Sequence, residues 1–353
     1  MAGKGLKVFG HLLRDVVKPD LCTFCGACVT VCPVRAIDVK DDRPVLAGRC
    51  ILCQLCYNQC PKTEPSIDQL EKIFFGLENS GESSIGPYRA VYTAKATDER
   101  IRSMAASGGV VTALLKFLLD EGMVDCATVA VADVETGWKP RPEVVFTGDD
   151  VLKAAGSKYT YCPMLLALGS AYFEYARDRV AFVGTPCQVT AVRKMQLTDM
   201  GYRKLGLAAN YVIGLFCMEN FDYSLITEFL PSKGVDLKSV SKFDISGGAF
   251  KVYDSDGKEL LSVKVKELER YSRKGCMVCP DLTAELADIS VGSIGSPKGM
   301  STVIVRTGKG EELFNQAVEK GVLKAEKISD KGLSLLMKIA ERKRKRSFKA
   351  KSV

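Results

Sequence analysis

Two blocks of four cysteines, each ending in Cys-Pro, are the feature that most constrains this chain. Residues 22–33 read CTFCGACVTVCP and residues 50–61 read CILCQLCYNQCP. Both follow the order C-x-x-C-x-x-C-x-x-x-C-P, and every cysteine of the first block recurs 28 positions later. This internal duplication indicates that the eight thiols serve the same function.

The spacing is typical of two-cluster bacterial ferredoxins, in which three cysteines of a block bind one 4Fe-4S cluster and the fourth crosses to the other cluster. One predicted ligand set is Cys22, Cys25, Cys28 and Cys60, and the other is Cys50, Cys53, Cys56 and Cys32. A pair of four-cysteine zinc sites is the alternative, although zinc modules rarely show a doubled triplet followed by Cys-Pro. The signal therefore favours iron-sulfur chemistry.

Composition restricts the remaining possibilities. The 14 cysteines occur in a chain of 353 residues with no signal-type N-terminus and no apolar run long enough for a transmembrane span, so we expect a cytoplasmic protein with metal or redox cysteines. His11 is the one histidine, which argues against Ser-His-Asp catalysis and histidine metal sites.

Six cysteines lie outside the two blocks. Cys276 and Cys279 form a C-x-x-C followed by proline, while Cys187 and Cys217 each follow an apolar run that predicts a buried strand. These four would meet at the carboxyl edge of an α/β sheet, where sites form, and could hold a third cluster. Alternatively, Cys187 and Cys217 are ordinary buried thiols. Two more cysteines are expected to pack as small apolar residues, namely Cys126 and Cys162.

The rest of the chain alternates strand-like and helix-like segments, which predicts an α/β domain with a mixed sheet after an N-terminal ferredoxin module. Further predictions are an amphipathic helix at residues 6–17, a hairpin at 35–50 and a hairpin turning at Asp256-Gly257. The expected domains are residues 1–76 with the helix and ferredoxin module, a linker at 77–88, a catalytic domain at 89–328 and a basic C-terminal tail at 329–353.

Glycine-rich turns offer anion sites, although neither a G-x-G-x-x-G fingerprint nor a Walker loop occurs. Ser107, Gly108 and Gly109 precede a predicted helix, where free N–H groups favour phosphate, and residues 292–298 form a second such loop. A helix cap is the alternative for each turn. A module of one-electron clusters beside an α/β domain fits either a plain relay or an enzyme with flavin as the converter.

Several motifs together resemble the family of beta subunits of coenzyme F420 hydrogenases and dehydrogenases, over residues 88–330. They are ASGGVVTALL, AAGSKYTYCP, GTPCQVTAVRKMQ, GLFCMENFDY, GCMVCPDLTAELADISVGSIGSP and STVIVRT. The resemblance implies FAD, the 5-deazaflavin coenzyme F420 as substrate, and a third 4Fe-4S cluster on Cys187, Cys217, Cys276 and Cys279. It also places FAD against the Ser107–Gly109 turn. Other candidate contacts for the flavin or the coenzyme are Thr112, Lys158, Tyr159, Thr160, Glu219, Asn220, Gly292, Ser293, Gly295, Ser296 and Lys298.

The resemblance further implies hydride transfer from reduced F420 to FAD, then single electrons through the clusters, with no side-chain nucleophile. The N-terminal ferredoxin pair is most similar to the family branch that feeds membrane-bound complex-I-like dehydrogenases; ferredoxin is the other acceptor considered. A beta subunit of an F420-reducing hydrogenase or formate dehydrogenase, running in reverse, is one alternative. A non-enzymatic polyferredoxin relay, lacking flavin, is another.

The C-terminus concentrates the positive charge. Residues 338–353 hold eight Lys or Arg and one Glu, so they contribute +7 of the net +8. Apolar Leu333, Leu336 and Met337 before this run predict an amphipathic helix. We expect it to dock on an anionic membrane at the cytoplasmic face or on acidic partner subunits; a disordered, solvated tail is the alternative. Nucleic acid is disfavoured because no recognition motif accompanies the basic run.

Overall fold

The computed structural model describes residues 5–76, called the module below, and residues 83–351, called the body. Residues 77–82 of the predicted linker lie outside the described residues. Just after this gap the chain is held within the body, because Ile85 is fully buried and its carbonyl accepts hydrogen bonds from Thr283 and Arg306.

The module is a small fold around the duplicated cysteine loops, and the predicted N-terminal helix and hairpin are both confirmed. Its elements are α1 Phe9–Leu12, a π-helical turn Leu13–Val17, α2 Ala27–Thr30, β1 Ile37–Lys40, β2 Arg43–Leu46, α3 Leu55–Asn58 and α4 Ile67–Phe75. The hairpin is antiparallel and pairs Ile37 with Leu46.

The sequence duplication is repeated in the backbone. Gly26 and Gln54, 28 positions apart, precede α2 and α3 with left-handed φ values of 90° and 68°. Phe24 and Leu52 form a second equivalent pair, with φ values of 52° and 60°. Such angles suit glycine and are uncommon for other residues. The two loops therefore follow the same path around their thiols even where the second block lacks the glycine.

Eleven more strands belong to the body within its described residues. They are β3 Ala90–Ala96, β4 Cys126–Val131, β5 Arg141–Val145, β6 Val180–Gly184, β7 Ala209–Leu215, β8 Lys242–Ser246, β9 Ala249–Tyr253, β10 Glu259–Lys264, β11 Ile289–Gly292, β12 Ser301–Val305 and β13 Leu323–Lys327. Eight of them form one sheet in the order β13-β3-β12-β11-β7-β6-β4-β5. The predicted mixed sheet is thus confirmed.

Strand directions decide where a site can form. β11, β7, β6 and β4 are mutually parallel, and β3 points the same way because both it and β11 run antiparallel to β12. In this sheet β5, β12 and β13 run opposite. The carboxyl ends of five strands consequently meet at one edge, which in open α/β sheets is the edge that binds ligands.

The body helices cover both faces of this sheet. They are α5 Glu99–Met104, α6 Val110–Asp120, α7 Gly148–Leu152, α8 Leu165–Phe173, α9 Pro186–Leu197, α10 Arg203–Ala208, α11 Leu230–Ser232 after a π-helical stretch Leu225–Phe229, α12 Lys274–Met277, α13 Gly308–Glu319 and α14 Asp330–Lys351. Short 3-10 helices occur at Leu237–Ser239 and Val265–Tyr271. One apolar cluster packs α6 and α13 on the sheet, and another packs α8, α9 and α10 together with residues of the module.

Local chemistry sets the helix starts. Asp98 caps α5 and Thr307 caps α13, each accepting a hydrogen bond from a first-turn N–H. α9 begins at Pro186, because proline's fixed φ is favourable at the first helical position. Cys187 therefore lies in the first turn of a helix, directly beyond the end of β6.

A small antiparallel sheet, in the order β10-β9-β8, contains the predicted hairpin at Asp256-Gly257. Sequence analysis missed β8 and β13, which are both edge strands. Their sequences, KFDIS and LKAEK, alternate polar and apolar residues, but the alternation covers only five residues in each and includes no apolar run. The small sheet has its own core, which includes Phe250 and Leu268.

The predicted C-terminal helix is confirmed as α14, and it packs on the body. Leu336 and Ala340 are fully buried beside Ile304 of the sheet. The alternative of a disordered tail is therefore wrong for residues 330–351. Within the described parts of the chain, this and every other helix is too short or too polar to cross a bilayer.

The module and the body are joined by hydrogen bonds to backbone groups near the cysteines. Lys194 of α9 is fully buried, and its Nζ donates to the carbonyls of Cys60, Thr63 and Glu64 at 2.7, 2.8 and 3.0 Å. On the other side, the N–H of Gly275 donates to the carbonyl of Asp20 at 2.9 Å. These contacts fix the cysteine loops of the module relative to α9 and α12.

Close contact at Gly275 leads to a stability prediction. A Cβ at this position would overlap the carbonyl of Leu21 in the module. Gly275→Ala should therefore destabilise the protein by ~1–3 kcal/mol through overpacking. Urea unfolding of the cluster-loaded protein measures the effect.

Gly308→Ala is the matched control, because nothing lies within 4 Å of a Cβ at the start of α13. It should leave the urea midpoint unchanged or raise it slightly. Equal midpoints for the two variants would contradict the close junction between module and body.

Candidate functional site

The first cysteine set comprises Cys22, Cys25, Cys28 and Cys60, and its members line one pocket. The other lining residues are mainly apolar and include Leu12, Val16 and Val29. Burial raises the pKa of the Cys25 thiol, and the neighbouring Cys60 and Cys28 raise it further. The crossover cysteine of the second block thus lies with the triplet of the first.

The second cysteine set comprises Cys32, Cys50, Cys53 and Cys56, which line another pocket. Burial and the nearby Cys53, Cys50 and Cys32 raise the pKa of Cys56 to about 12. Backbone N–H groups point at these sulfurs: Ala36 N lies 3.2 Å from Cys32 Sγ, and Leu52 N lies 3.4 Å from Cys50 Sγ. N–H donors of this kind stabilise negative charge on a sulfur.

The third cysteine set comprises Cys187, Cys217, Cys276 and Cys279. Cys187 follows β6, Cys217 follows β7, and the other two lie on or just after α12. Burial raises the pKa of Cys217, and the charges of Cys276, Cys187 and Cys279 all reach it. Distant segments of the chain therefore converge at the carboxyl edge of the sheet, which is what the strand positions predicted.

The two cysteines outside these sets lie in the apolar core, as predicted. Cys126 is in β4 with no exposed surface, and Cys162 packs against Met164 with their sulfurs 3.6 Å apart. Burial raises their pKa values to about 11 and about 12. Both thiols are in their neutral form at neutral pH.

The three sets form a series. Cys187 of the third set lies close enough to raise the pKa of Cys25 in the first set, and Cys56 of the second set does the same to Cys28. Ile51 and Leu52, between two cysteines of the second set, are 55% and 52% exposed. The series thus runs from the sheet edge, through the first set, to the second set at the surface.

The chemistry of these donors suits iron-sulfur clusters. Four thiols that converge in an apolar cavity resist ionisation, since burial and mutual repulsion both penalise the thiolates. Bound iron reverses this penalty because a coordinating thiol is deprotonated outright. Across residues 5–76 and 83–351, no three Cys, His, Asp or Glu side chains are close enough to share one metal ion. Ligation by the three sets is therefore a proposal, taken up with the function.

Candidate flavin residues on the glycine-rich turns lie along the same edge. Ser107 Oγ is 2.8 Å from Ser301 Oγ, and the same Ser301 oxygen accepts the Gly108 N–H at 3.0 Å. That N–H is therefore already engaged within the protein, whereas Gly109 has the left-handed φ of 74° that begins α6. Thr112 lies half-buried in the first turn of that helix.

The second glycine-rich loop follows β11 and borders the same strands. Ser296 Oγ lies 2.9 Å from Thr93 Oγ1 and 2.7 Å from Thr302 Oγ1, so it ties the loop to β3 and β12. Gly292 packs against the ring of Phe216, and Gly295 packs against the backbone of α14. Two predicted residues of this loop are exposed, Ser293 and Lys298.

Lys158 is a half-buried cation without a carboxylate partner among the described ion pairs. Its Nζ donates to the carbonyls of Ala154, Ala155 and Gly156 at 2.6, 3.0 and 3.1 Å. Burial lowers the pKa of Lys158 to about 8. These three carbonyls engage the N–H donors of Lys158, whereas no carboxylate among the described ion pairs offsets its positive charge.

The neighbouring Tyr159 and Thr160 tie this segment to the third cysteine set. Tyr159 Oη accepts the Ile245 N–H of the small sheet at 3.0 Å, and Thr160 bridges to Phe221, four residues after Cys217. Beside Cys217, the Asn220 amide oxygen is 3.8 Å from the thiol. Glu219 is ion-paired with Arg346 of α14 at 2.7 Å, so the negative charge of its carboxylate is already balanced within the protein.

Sequence reasoning missed two groups beside the third set. Tyr161 Oη lies 3.4 Å from Cys276 Sγ and accepts the Arg273 N–H at 3.0 Å. Lys343 reaches in from α14 and donates to the carbonyls of Cys217 and Asp281. Burial alone would lower the pKa of Lys343, but the charges of Cys279, Cys217 and Asp281 outweigh it and raise the pKa. In the sequence, Lys343 is one of many basic residues in a run, so nothing marks it.

Comparison with protein families gives three matches. Residues 91–169 and 177–331 match the N-terminal and C-terminal parts of the coenzyme F420 hydrogenase/dehydrogenase beta subunit. Residues 15–38 match the 4Fe-4S binding domain, so the module is of the ferredoxin type.

Individual relatives agree with these matches. The beta subunit of the coenzyme F420 hydrogenase of Methanothermobacter thermautotrophicus is 40% identical over 75% of this chain and 94% of its own length. One subunit of the F(420)H(2) dehydrogenase of Methanosarcina mazei is 32% identical over 94% of this chain and 92% of its own. Among solved structures, a chain of the F420-reducing NiFe hydrogenase complex of Methanosarcina barkeri superposes with a TM-score of 0.72 at 38% identity, covering 75% of this chain and 92% of that one.

The cysteine sets predict distinct effects on iron content. Cys279→Ala should lower bound iron from about twelve to about eight atoms per chain, because a 4Fe-4S cluster needs four protein ligands. Iron and sulfide analysis of anaerobically reconstituted protein measures this loss. Retention of a partial cluster would give an intermediate value.

Cys162→Ala is the control, since its thiol packs against Met164 in the apolar core and belongs to none of the three sets. It should keep the iron content of the unaltered protein. Equal iron losses in the two variants would overturn the division of the cysteines.

Proposed function

The chain belongs to the family of coenzyme F420 hydrogenase/dehydrogenase beta subunits, and we propose that it oxidises reduced coenzyme F420 by hydride transfer to FAD and passes single electrons through 4Fe-4S clusters to a partner. The observation that carries this proposal is the series of three cysteine sets, which leads from the sheet edge to the protein surface. A hydride acceptor at that edge would stand at the buried end of the series.

When bound, FAD supplies the conversion between a hydride and two single electrons, and 4Fe-4S clusters carry electrons one at a time. The chain itself supplies position and exclusion of water. Tyr161 and Phe24 pack in an apolar cluster with Cys276, which shields the third set on the side of the module. Exclusion of water from this region would limit side reactions of the transferred electrons.

We place FAD and the coenzyme at the carboxyl edge of the sheet, between the Ser107–Gly109 turn and the segment around Lys158. The positive charge of Lys158, which no carboxylate of the described ion pairs offsets, would attract an anionic group of either molecule. Binding and orientation at this edge are the catalytic contributions of the protein.

The three cysteine sets are proposed as ligands of three 4Fe-4S clusters, with the cluster of the second set as the exit. Exposed Ile51 and Leu52 would contact the electron acceptor there, either a membrane-bound complex-I-like dehydrogenase or ferredoxin. On α14, Lys338, Arg342 and Lys345 face outward and could meet an acidic partner or an anionic membrane from the cytoplasmic side. The domains proposed are residues 1–76 for electron exit and 89–328 for catalysis.

A second enzymatic function is a beta subunit that reduces F420 in a hydrogenase or formate dehydrogenase. The extent of similarity favours the dehydrogenase direction: the hydrogenase relative matches 75% of this chain, whereas the dehydrogenase relative matches 94%. A plain electron relay without flavin is the non-enzymatic alternative. A lysine charge at the sheet edge that no described carboxylate offsets, that of Lys158, has no role in a relay without flavin.

A spectroscopic assay tests the enzyme. Protein purified without oxygen and supplied with FAD should bind it, and it should oxidise reduced F420 when a viologen dye accepts the electrons. Both steps are followed by visible absorbance. Clusters without any flavin binding would support the relay and contradict the enzymatic proposal.

The exit surface makes a separate prediction. Ile51→Lys puts a charge in the apolar surface beside the second set and should slow electron transfer to a two-cluster bacterial ferredoxin several-fold, because rim charges alter association. The rate with a small viologen dye should stay unchanged.

Leu207→Lys is the matched control, since Leu207 is an exposed leucine on α10, outside both the module and the outward basic face of α14. It should leave both rates unchanged. If Ile51→Lys slowed both acceptors equally, the exit would lie elsewhere.

A further inference from the structure

Lys343 is a lysine buried inside the protein although it belongs to the most basic stretch of the sequence. The residue is 2% exposed and lies in the second half of α14. Its Nζ donates a hydrogen bond to the carbonyl of Cys217 and another, at 2.6 Å, to the carbonyl of Asp281. The first acceptor belongs to a cysteine of the third set, and the second lies two residues after Cys279.

Neighbouring cations of the same helix have carboxylate partners. Arg344 pairs with Glu285, and Arg346 pairs with Glu219. For Lys343, no carboxylate lies within ion-pair distance among the described residues. The nearby Asp281 uses its carboxylate to accept the N–H groups of Thr283 and Glu285 instead. Lys343 therefore presents a positive charge to the third set. Only the more distant carboxylate of Asp281 offsets part of that charge.

A cation in this position acts on any redox centre held by the third set. Four thiolates make a 4Fe-4S cluster anionic, and reduction adds one more negative charge. A fixed positive charge stabilises the more negative state by the larger amount, and burial strengthens the effect because little water screens it. Net charge and burial are among the factors that set cluster potentials.

We propose that Lys343 raises the reduction potential of the third cluster and so makes it the acceptor that draws electrons into the series. The inference rests on the proposed cluster at Cys187, Cys217, Cys276 and Cys279, and it deepens that proposal by assigning a positioning residue. Lys343 contacts the ligand loops by its hydrogen bonds and acts on the cluster through its charge.

Substitution of Lys343 tests the inference by a potential and not by activity alone. Lys343→Met removes the charge while keeping an unbranched chain, and Lys343→Gln keeps a donor for the carbonyls. Both should move the midpoint potential of the third cluster to more negative values, measured by redox titration with electron paramagnetic resonance. The signal of that cluster is identified as the one lost in Cys279→Ala.

A charge-conserving variant and a surface variant complete the design. Lys343→Arg should stay near the potential of the unaltered protein. Lys345→Met removes a charge two positions along the same helix, where the side chain is 70% exposed and pairs with Glu341, and should leave the potential unchanged. If Lys343→Met fails to load its cluster, Lys343→Gln still decides the question.

The outcomes separate this inference from the function it rests on. A third cluster with an unaltered potential in Lys343→Gln overturns the role of Lys343 and leaves the proposed function intact. An unaltered protein that loads only the two clusters of the module overturns the cluster assignment itself. An equal shift in Lys345→Met would show that net charge, and not the position of Lys343, is responsible.

Discussion

Hydrogen bonds from buried lysines to backbone carbonyls are the interaction on which the site depends. Lys194 binds the carbonyls of Cys60, Thr63 and Glu64, and Lys343 binds those of Cys217 and Asp281. Each lysine thus ties a helix of the body to a loop that carries cysteines. Since buried charges are costly without such partners, these contacts define one arrangement of loops and helices. They hold the cysteine sets in a fixed series.

The sheet provides the second constraint. Five parallel strands end at one edge, and the segments that follow them carry Cys187, Cys217 and the two glycine-rich loops. Parallel strands require long connections, so residues far apart in sequence are brought to one place. The module, which has only short elements, docks at this edge through Gly275 and Asp20. Redox chemistry at the edge would therefore lie next to an outlet.

The C-terminal helix combines two roles that its composition does not distinguish. Lys343, Arg344 and Arg346 turn inward to the third set and its supporting carboxylates, whereas Lys338, Arg342 and Lys345 face solvent. A helix presents residues three and four positions apart on one face, so one basic run supplies both surfaces. The internal face contacts the third cysteine set, and the external face is exposed to solvent. Removal of the helix would therefore alter the site as well as the surface.

Sequence alone determined the features that depend on local spacing. The doubled cysteine pattern predicted the ferredoxin-type module, the strand and helix periodicities predicted the mixed sheet, and the family motifs predicted the family. Edge strands β8 and β13 escaped detection because their polar–apolar alternation covers only five mostly polar residues. Only the tertiary structure decided that Lys158 lacks a carboxylate partner, that Glu219 is paired with Arg346 and that Lys343 is buried among cysteines. Those facts depend on contacts between residues up to 127 positions apart, which no local pattern records.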